Sequence, residues 1–165
     1  MNVEQQNDGE MQKIAGMIKD VGVGMLSTPD SDGNLQSRPM QALKVDAEGS
    51  IWFFTDADSR PKEASARSSC LTFSDPSNGT FLSVSGPSKM LIDRALINEL
   101  WSPLMKTWFP KGQDDPSLAL LRIHIDHAEY WDAPRSAMVR VVALAASAVS
   151  GKQVGLGEKT SVQNR

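Results

Sequence analysis

The sequence predicts a mainly β fold with peripheral helices, its body a small closed antiparallel barrel. Three observations predict it. Short runs of β-branched and aromatic residues recur along the chain, separated by dense Gly, Pro, Asp and Asn turn signals. Successive runs are joined by few residues, which antiparallel neighbours permit and parallel ones do not. No regular alternation of strand and helix runs through the chain, which disfavours a doubly wound parallel sheet.

The elements follow in order. Residues 3–19 carry Met11, Ile14, Met17 and Ile18 at three- and four-residue steps, the spacing of one helix face. Gly22 and Gly24 break that pattern, and residues 23–28 read as a strand. Pro29-Asp30-Ser31-Asp32-Gly33-Asn34 is a turn, and residues 35–45 are a second extended segment. Asp46-Ala47-Glu48-Gly49 turns the chain into Ile51-Trp52-Phe53-Phe54-Thr55, the most strand-like run present. Residues 59–67 read as a short helix with Ser59 as N-cap and Pro61 early in it. Residues 70–74 form a strand, Asp75-Pro76-Ser77-Asn78-Gly79 a turn, and residues 80–91 another strand. Gly86-Pro87 falls inside that strand, and the missing ladder donor makes the spot an edge or a bulge. Asp93 caps a helix over 93–101, and a second short helical stretch ends at Trp108-Phe109-Pro110-Lys111-Gly112. Asp114-Asp115-Pro116-Ser117 is a loop, and residues 118–131 form one long strand. Residues 138–150 are Ala-rich and read as a helix. Residues 1–151 then make a single domain, followed by a loose polar tail over 152–165.

Composition narrows the function. A chain of 165 residues buries enough surface for a core without disulfide or metal staples. The 17 Lys and Arg against 20 Asp and Glu leave a net charge of −3, which argues against a general nucleic-acid grip. The single cysteine, Cys70, excludes an intrachain disulfide and a cysteine zinc site. His124 and His127, three apart in one predicted strand, point to opposite faces and do not suit a shared metal. No stretch reaches the roughly 18 apolar residues of a membrane helix. The polar, acidic start of the chain does not look like a signal peptide. The expectation is a cytoplasmic protein with no metal site, membrane contact or nucleic-acid partner.

The familiar catalytic signatures are absent: no phosphate loop, no G-x-G-x-x-G opening a helix, no H-E-x-x-H, no G-x-S-x-G elbow. Three segments remain. In Ser37-Arg38-Pro39-Met40, an arginine in an extended run is either solvated or the anchor for an anion that its rigid fork matches. In residues 52–62, an aromatic strand runs into a helix start that carries Ser59, Arg60 and Lys62. This is either core followed by an ordinary cap, or a wall for a flat ring next to a phosphate seat. In Ala128-Glu129-Tyr130-Trp131-Asp132, Trp131 either packs in the core or stacks on a ligand or interface.

Taken together, these segments resemble the pyridoxamine 5′-phosphate oxidase-like, FMN-binding split-barrel superfamily, in particular its bacterial general stress protein branch. The resemblance runs from the N-terminal helix to Gly157. It rests on Ser37-Arg38-Pro39-Met40, Trp52-Phe53-Phe54-Thr55, Ser59 with Lys62, Asp75-Pro76 and Ser83-Val84-Ser85-Gly86. It continues through Asp93-Arg94-Ala95, Glu99-Leu100-Trp101, Trp108-Phe109-Pro110, Asp114-Asp115-Pro116, Leu120-Leu121-Arg122 and residues 128–132. It implies a six-stranded antiparallel split β-barrel that forms a homodimer, with FMN in clefts between the subunits. Arg38 and Lys62 would hold the FMN phosphate with help from Ser59. Met40 and Gln41 would border the ring through backbone groups, Phe54 and Thr55 would meet the ring and its polar edge, and Trp131 with Trp108 would approach from the partner.

The match departs from the family in four places, one of them Pro87 directly after Gly86 in its strand. Arg60-Pro61 stands between Ser59 and Lys62, and Phe81 stands where the stress-protein branch often has Tyr. Trp131-Asp132-Ala133-Pro134 replaces the Arg-x-His substrate motif of the oxidases proper, so pyridoxamine phosphate oxidation is not expected. Two roles stay open: an FMN-dependent oxidoreductase of a small substrate, or a non-catalytic protein that binds, senses or stores flavin or another flat cofactor.

Overall fold

The computed structural model describes residues 3–30, 32–59, 68–132 and 158–163. In chain order these form α1 (Val3–Val21), β1 (Val23–Pro29), β2 (Leu35–Val45), β3 (Ser50–Asp56), β4 (Ser68–Asp75) and β5 (Thr80–Leu91). Then come α2 (Arg94–Leu100), β6 (Leu118–His124), β7 (His127–Asp132) and β8 (Glu158–Gln163). Two 3-10 turns, Ala57–Ser59 and Pro103–Thr107, follow β3 and α2.

Six strands close on themselves. β1 pairs with β2 and β4, β4 with β5, β5 with β6, β6 with β3, and β3 with β2, all antiparallel. Closure pairs most strand edges within the chain, leaving open the parted ends of β2 and β3 and the outer edge of β8. Two long strands serve both halves of the barrel. β2 pairs through its first part with β1 and through its last part with β3. β5 pairs through residues 80–85 with β7 and through residues 88–91 with β6.

The interior is filled by alternate residues of these strands, among them Leu26, Met40, Phe53, Phe73, Leu82 and Leu121. The apolar stripe of α1 joins them: Ile14, Met17 and Ile18 are buried there. A second core lies outside the barrel wall, where Trp52, Phe54, Leu118 and Leu120 pack under Ile97 of α2. The middle of β3 is therefore covered on both faces, which is why it reads as a continuous apolar run rather than an alternating one.

Five expectations need correction or placing. The single strand over 118–131 is two strands, broken at Ile125 and Asp126, whose N–H groups donate to Gly49 O and Ser85 O. The break follows from a close approach: a Cβ on Gly86 would lie 1.9 Å from the His124 carbonyl oxygen. On the side of β5 that faces β6 and β7, Gly86 and Pro87 occupy the gap between those two ladders, while on the other side they stay in register with Ser69 and Ser68 of β4. Residues 158–163 are not loose: β8 pairs with β7 along its length, and Val162 is buried in the core opposite Ala128. The second short helical stretch is a 3-10 turn over Pro103–Thr107, which ends before Trp108 and Phe109. The helix expected over 138–150, and that over 59–67 beyond Ser59, lie outside the described residues.

Candidate functional site

The site arises where β2 and β3 part. Their ladder runs only from Ala42 and Phe53 to Val45 and Ile51, with an irregularity between Ala42 and Lys44. Beyond it, residues 38–41 stay with β1 while residues 54–56 stay with β6. The divergence leaves a cleft of about 230 Å3 lined by Arg38, Met40, Gln41, Phe54, Thr55 and Trp108. The two strand edges that face it have no ladder with each other. Their main-chain donors and acceptors on that side are the polar groups a ligand would meet.

One wall is aromatic. Phe54 packs against Trp101 at 5.7 Å and edge-on to Phe109 at 5.9 Å between ring centroids. The 3-10 turn is drawn tight by the N–H groups of Trp108 and Phe109, which both donate to Met105 O. This presents Met105 and Trp108 at the mouth, where Trp108 is 60% exposed. A large ring left in water at a cleft mouth is the kind of surface that a flat ligand or a partner covers.

The charge comes from Arg38. It sits across from buried Leu26 in the β1–β2 register, so its side chain starts from the interior face of β2, two residues before Met40. Its Nη2 is buried and has no hydrogen-bond partner among the described residues. Burial pulls the guanidinium below its ordinary value. A buried donor without an acceptor costs about 1–3 kcal/mol, more when charged, and an anion placed there would relieve it. Gln41 is held in place from within, its Nε2 donating to Gly22 O at 3.1 Å and Ala42 O at 3.2 Å. An orphaned cation, polar strand edges and an aromatic wall fit a flat ring that carries a phosphate.

Six of the predicted site residues, Arg38, Met40, Gln41, Phe54, Thr55 and Trp108, meet at this cleft. Ser59 ends the 3-10 turn just beyond Asp56, which also lines the cleft; its side chain, like all of Lys62, lies outside the described residues. Trp131 is not brought to the cleft. It stands on β7 opposite Phe81, on the outer face of the sheet, while its neighbour Tyr130 points inward. Val23, Pro39, Asp56, Met105 and Phe109 complete the lining; Pro39, Asp56 and Phe109 belong to segments the sequence marked, whereas Val23 and Met105 do not. Each is a sequence neighbour of a predicted residue or stands on the adjoining strand or turn.

His124 and His127 fall on different strands. His124 lies 3.3 Å from the Ser50 hydroxyl and 4.0 Å from Asp126, while His127 is exposed. Among the described residues no group of three or more His, Cys, Asp or Glu is arranged to hold a metal ion. No described helix is long and apolar enough to cross a membrane.

Known proteins share this architecture. The family model "Pyridoxamine 5′-phosphate oxidase like" matches residues 9–155. A general stress protein 26 from Jannaschia sp. CCS1 is 24% identical, with 94% of this chain and 99% of that one covered at a TM-score of 0.74. The general stress FMN/FAD binding protein of Xanthomonas citri is 33% identical, with 75% and 89% covered at a TM-score of 0.62. Protein bli-3 of Neurospora crassa is 24% identical over 164 residues, 92% of this chain and 78% of that protein.

Proposed function

Since the chain belongs to the pyridoxamine 5′-phosphate oxidase-like family, we propose that it is a stress-type flavoprotein that binds FMN in the cleft between β2 and β3. The observation that carries this reading is the buried Nη2 of Arg38, without a partner among the described residues, in the lining of an aromatic, edge-lined cleft. The general stress FMN/FAD binding protein of Xanthomonas citri, at 33% identity, supports the ligand class. Bound FMN supplies hydride and electron transfer, while the protein supplies binding, orientation and electrostatics.

In this reading Arg38 neutralises the phosphate, joined by Ser59 and Lys62 from the segment after β3. Main-chain groups of Met40, Gln41, Phe54 and Thr55 meet the polar edge of the ring, and Trp108 shields it from water. The cleft of one chain is small for a whole flavin, because ligand pockets run from about 300 to 1,000 Å3. Val23 and Gln41 line the cleft and also stand on the outer face of the sheet. A second copy laid on that face would complete the site and bring its Trp131 within reach. The working form is accordingly a homodimer with two flavins, located in the cytoplasm. Its role is that of an oxidoreductase for a small substrate; the rival role is flavin storage or sensing without turnover.

The test is an absorbance spectrum after loading with excess FMN and desalting. The expected result is a flavin band near one FMN per chain, lost in the Arg38→Ala/Lys62→Ala double variant. A folded protein that retains no flavin overturns the reading. Bleaching of the loaded protein by NADH or NADPH separates turnover from storage.

A further inference from the structure

Arg94, the first residue of α2, has no part in the function just proposed. Its guanidinium is committed to main-chain carbonyls: Nη1 donates to Asp115 O at 3.0 Å and Nη2 to Pro116 O at 3.1 Å. A rigid fork that grips two successive carbonyls fixes both the place and the tilt of that loop. Within the loop the Asp115 side chain, with the residue 8% exposed, accepts from the Ser117 N–H at 2.9 Å and the Ser117 hydroxyl at 2.8 Å. Lys111 lies 3.8 Å from the other carboxylate oxygen. The Ser117 carbonyl then accepts the Ala57 N–H at 2.8 Å. Ala57 opens the turn by which the chain leaves the cleft, and the Asp56 carboxylate closes that turn by accepting the Asp58 N–H at 2.8 Å. A continuous line of bonds thus runs from α2 to the rim of the cleft. Arg94, Asp115 and Ser117 do not themselves line it.

We propose that Arg94 and Asp115 are positioning residues that act through Ser117 and Ala57. They fix the Ala57–Ser59 turn and thereby set the phosphate end of the flavin site. The inference rests on the flavin reading above, in which Arg38 and Ser59, the last residue of that turn, hold the phosphate. A residue that only supports the fold would weaken every ligand alike. A residue that sets this turn weakens the phosphate-bearing flavin selectively, because misplacing one end of a site disturbs the contacts made at that end.

The test compares wild type with Arg94→Met, Asp115→Ala and Asp115→Asn, the last keeping an acceptor oxygen for Ser117. Affinities for FMN and for riboflavin, which lacks the phosphate, are measured by fluorescence titration, and exchange of the Ala57 amide is followed without ligand. Arg94→Met and Asp115→Ala are expected to lose about tenfold in FMN affinity while riboflavin stays within about twofold. Ala57 N–H exchange is expected to quicken in both, and Asp115→Asn to stay near wild type. Should Asp115→Ala fail to fold, Arg94→Met, at an exposed helix start, decides the matter. Equal weakening of both flavins overturns the inference, as does a retained FMN preference or an unchanged Ala57 amide. A wild type that binds neither flavin ends the flavin reading and this inference with it. A wild type that binds FMN, with variants that keep its preference, ends the inference alone.

Discussion

A guanidinium nitrogen shut away without a hydrogen-bond partner destabilises the protein that holds it, and among the described residues Arg38 Nη2 is such a case. Arg38→Met keeps the apolar stem and removes the orphaned charge. It is expected to raise the stability of the ligand-free protein by about 1 kcal/mol in thermal or denaturant unfolding while abolishing flavin retention. Asp75 shows the opposite economy. Side-chain bonds from Ser77 and Asn78 hold its carboxyl down at about 2, against an ordinary 3.8. The folded value lies below the unfolded one, so the stabilisation is complete above about pH 4 and is lost as pH falls from there through the folded value. Asp75→Ala should therefore lower the denaturation midpoint at pH 7, and the gap to wild type should close as pH approaches 2. Arg38 was legible in the sequence because an arginine in an extended run must find either water or an anion. The isolation of its Nη2 was not, since that depends on how far β2 swings from β3.

At the scale of the element, β5 carries the most constraint. Gly86 passes so close to the His124 carbonyl that Gly86→Ala must push β5 away from the β6–β7 junction. The expected cost is at least about 2 kcal/mol in equilibrium unfolding, and a variant within 0.5 kcal/mol of wild type, roughly the noise of a surface change, would contradict the close approach. The same contact explains why the break at Ile125-Asp126 could not be read from its own residues. Residues 118–131 look strand-like throughout, and the cause of the bend lies in another strand nearly forty positions earlier. β8 was hidden for a different reason. Its Glu-Lys-Thr-Ser-Val-Gln sequence places one apolar side chain in the core, so pairing with β7 holds it more than burial does. By contrast α1, β2, β3, β5 and α2 were plain, because each declares itself through a stripe, a run or a cap within its own length. The Asp93 cap is one example, its carboxylate accepting the Leu96 N–H at 3.0 Å.

For the whole molecule, the outer face of the sheet is the feature that asks for a partner. Val23, Met25, Leu35 and Phe81 are each at least 41% exposed and project on that one side, with Trp131 beside Phe81. If a second copy covers them, Met25→Glu and Phe81→Glu should shift the protein from dimer to monomer in sedimentation velocity. The same variants should then lose flavin although they touch no atom of the cleft in their own chain. A variant that stays dimeric and keeps flavin would place the contact elsewhere. The barrel itself was legible from the rhythm of strands and turns, whereas the parting of β2 from β3 was not, because it is a property of pairing rather than of either run. That parting has a consequence for how the protein tolerates mutation. A recognition edge made of main-chain groups is shared by every residue type except proline, which alone removes an N–H. In a saturation scan, positions along that edge whose N–H faces the cleft should therefore accept many replacements of similar bulk and reject proline, while Arg38, the one cation of the described lining, should accept almost none.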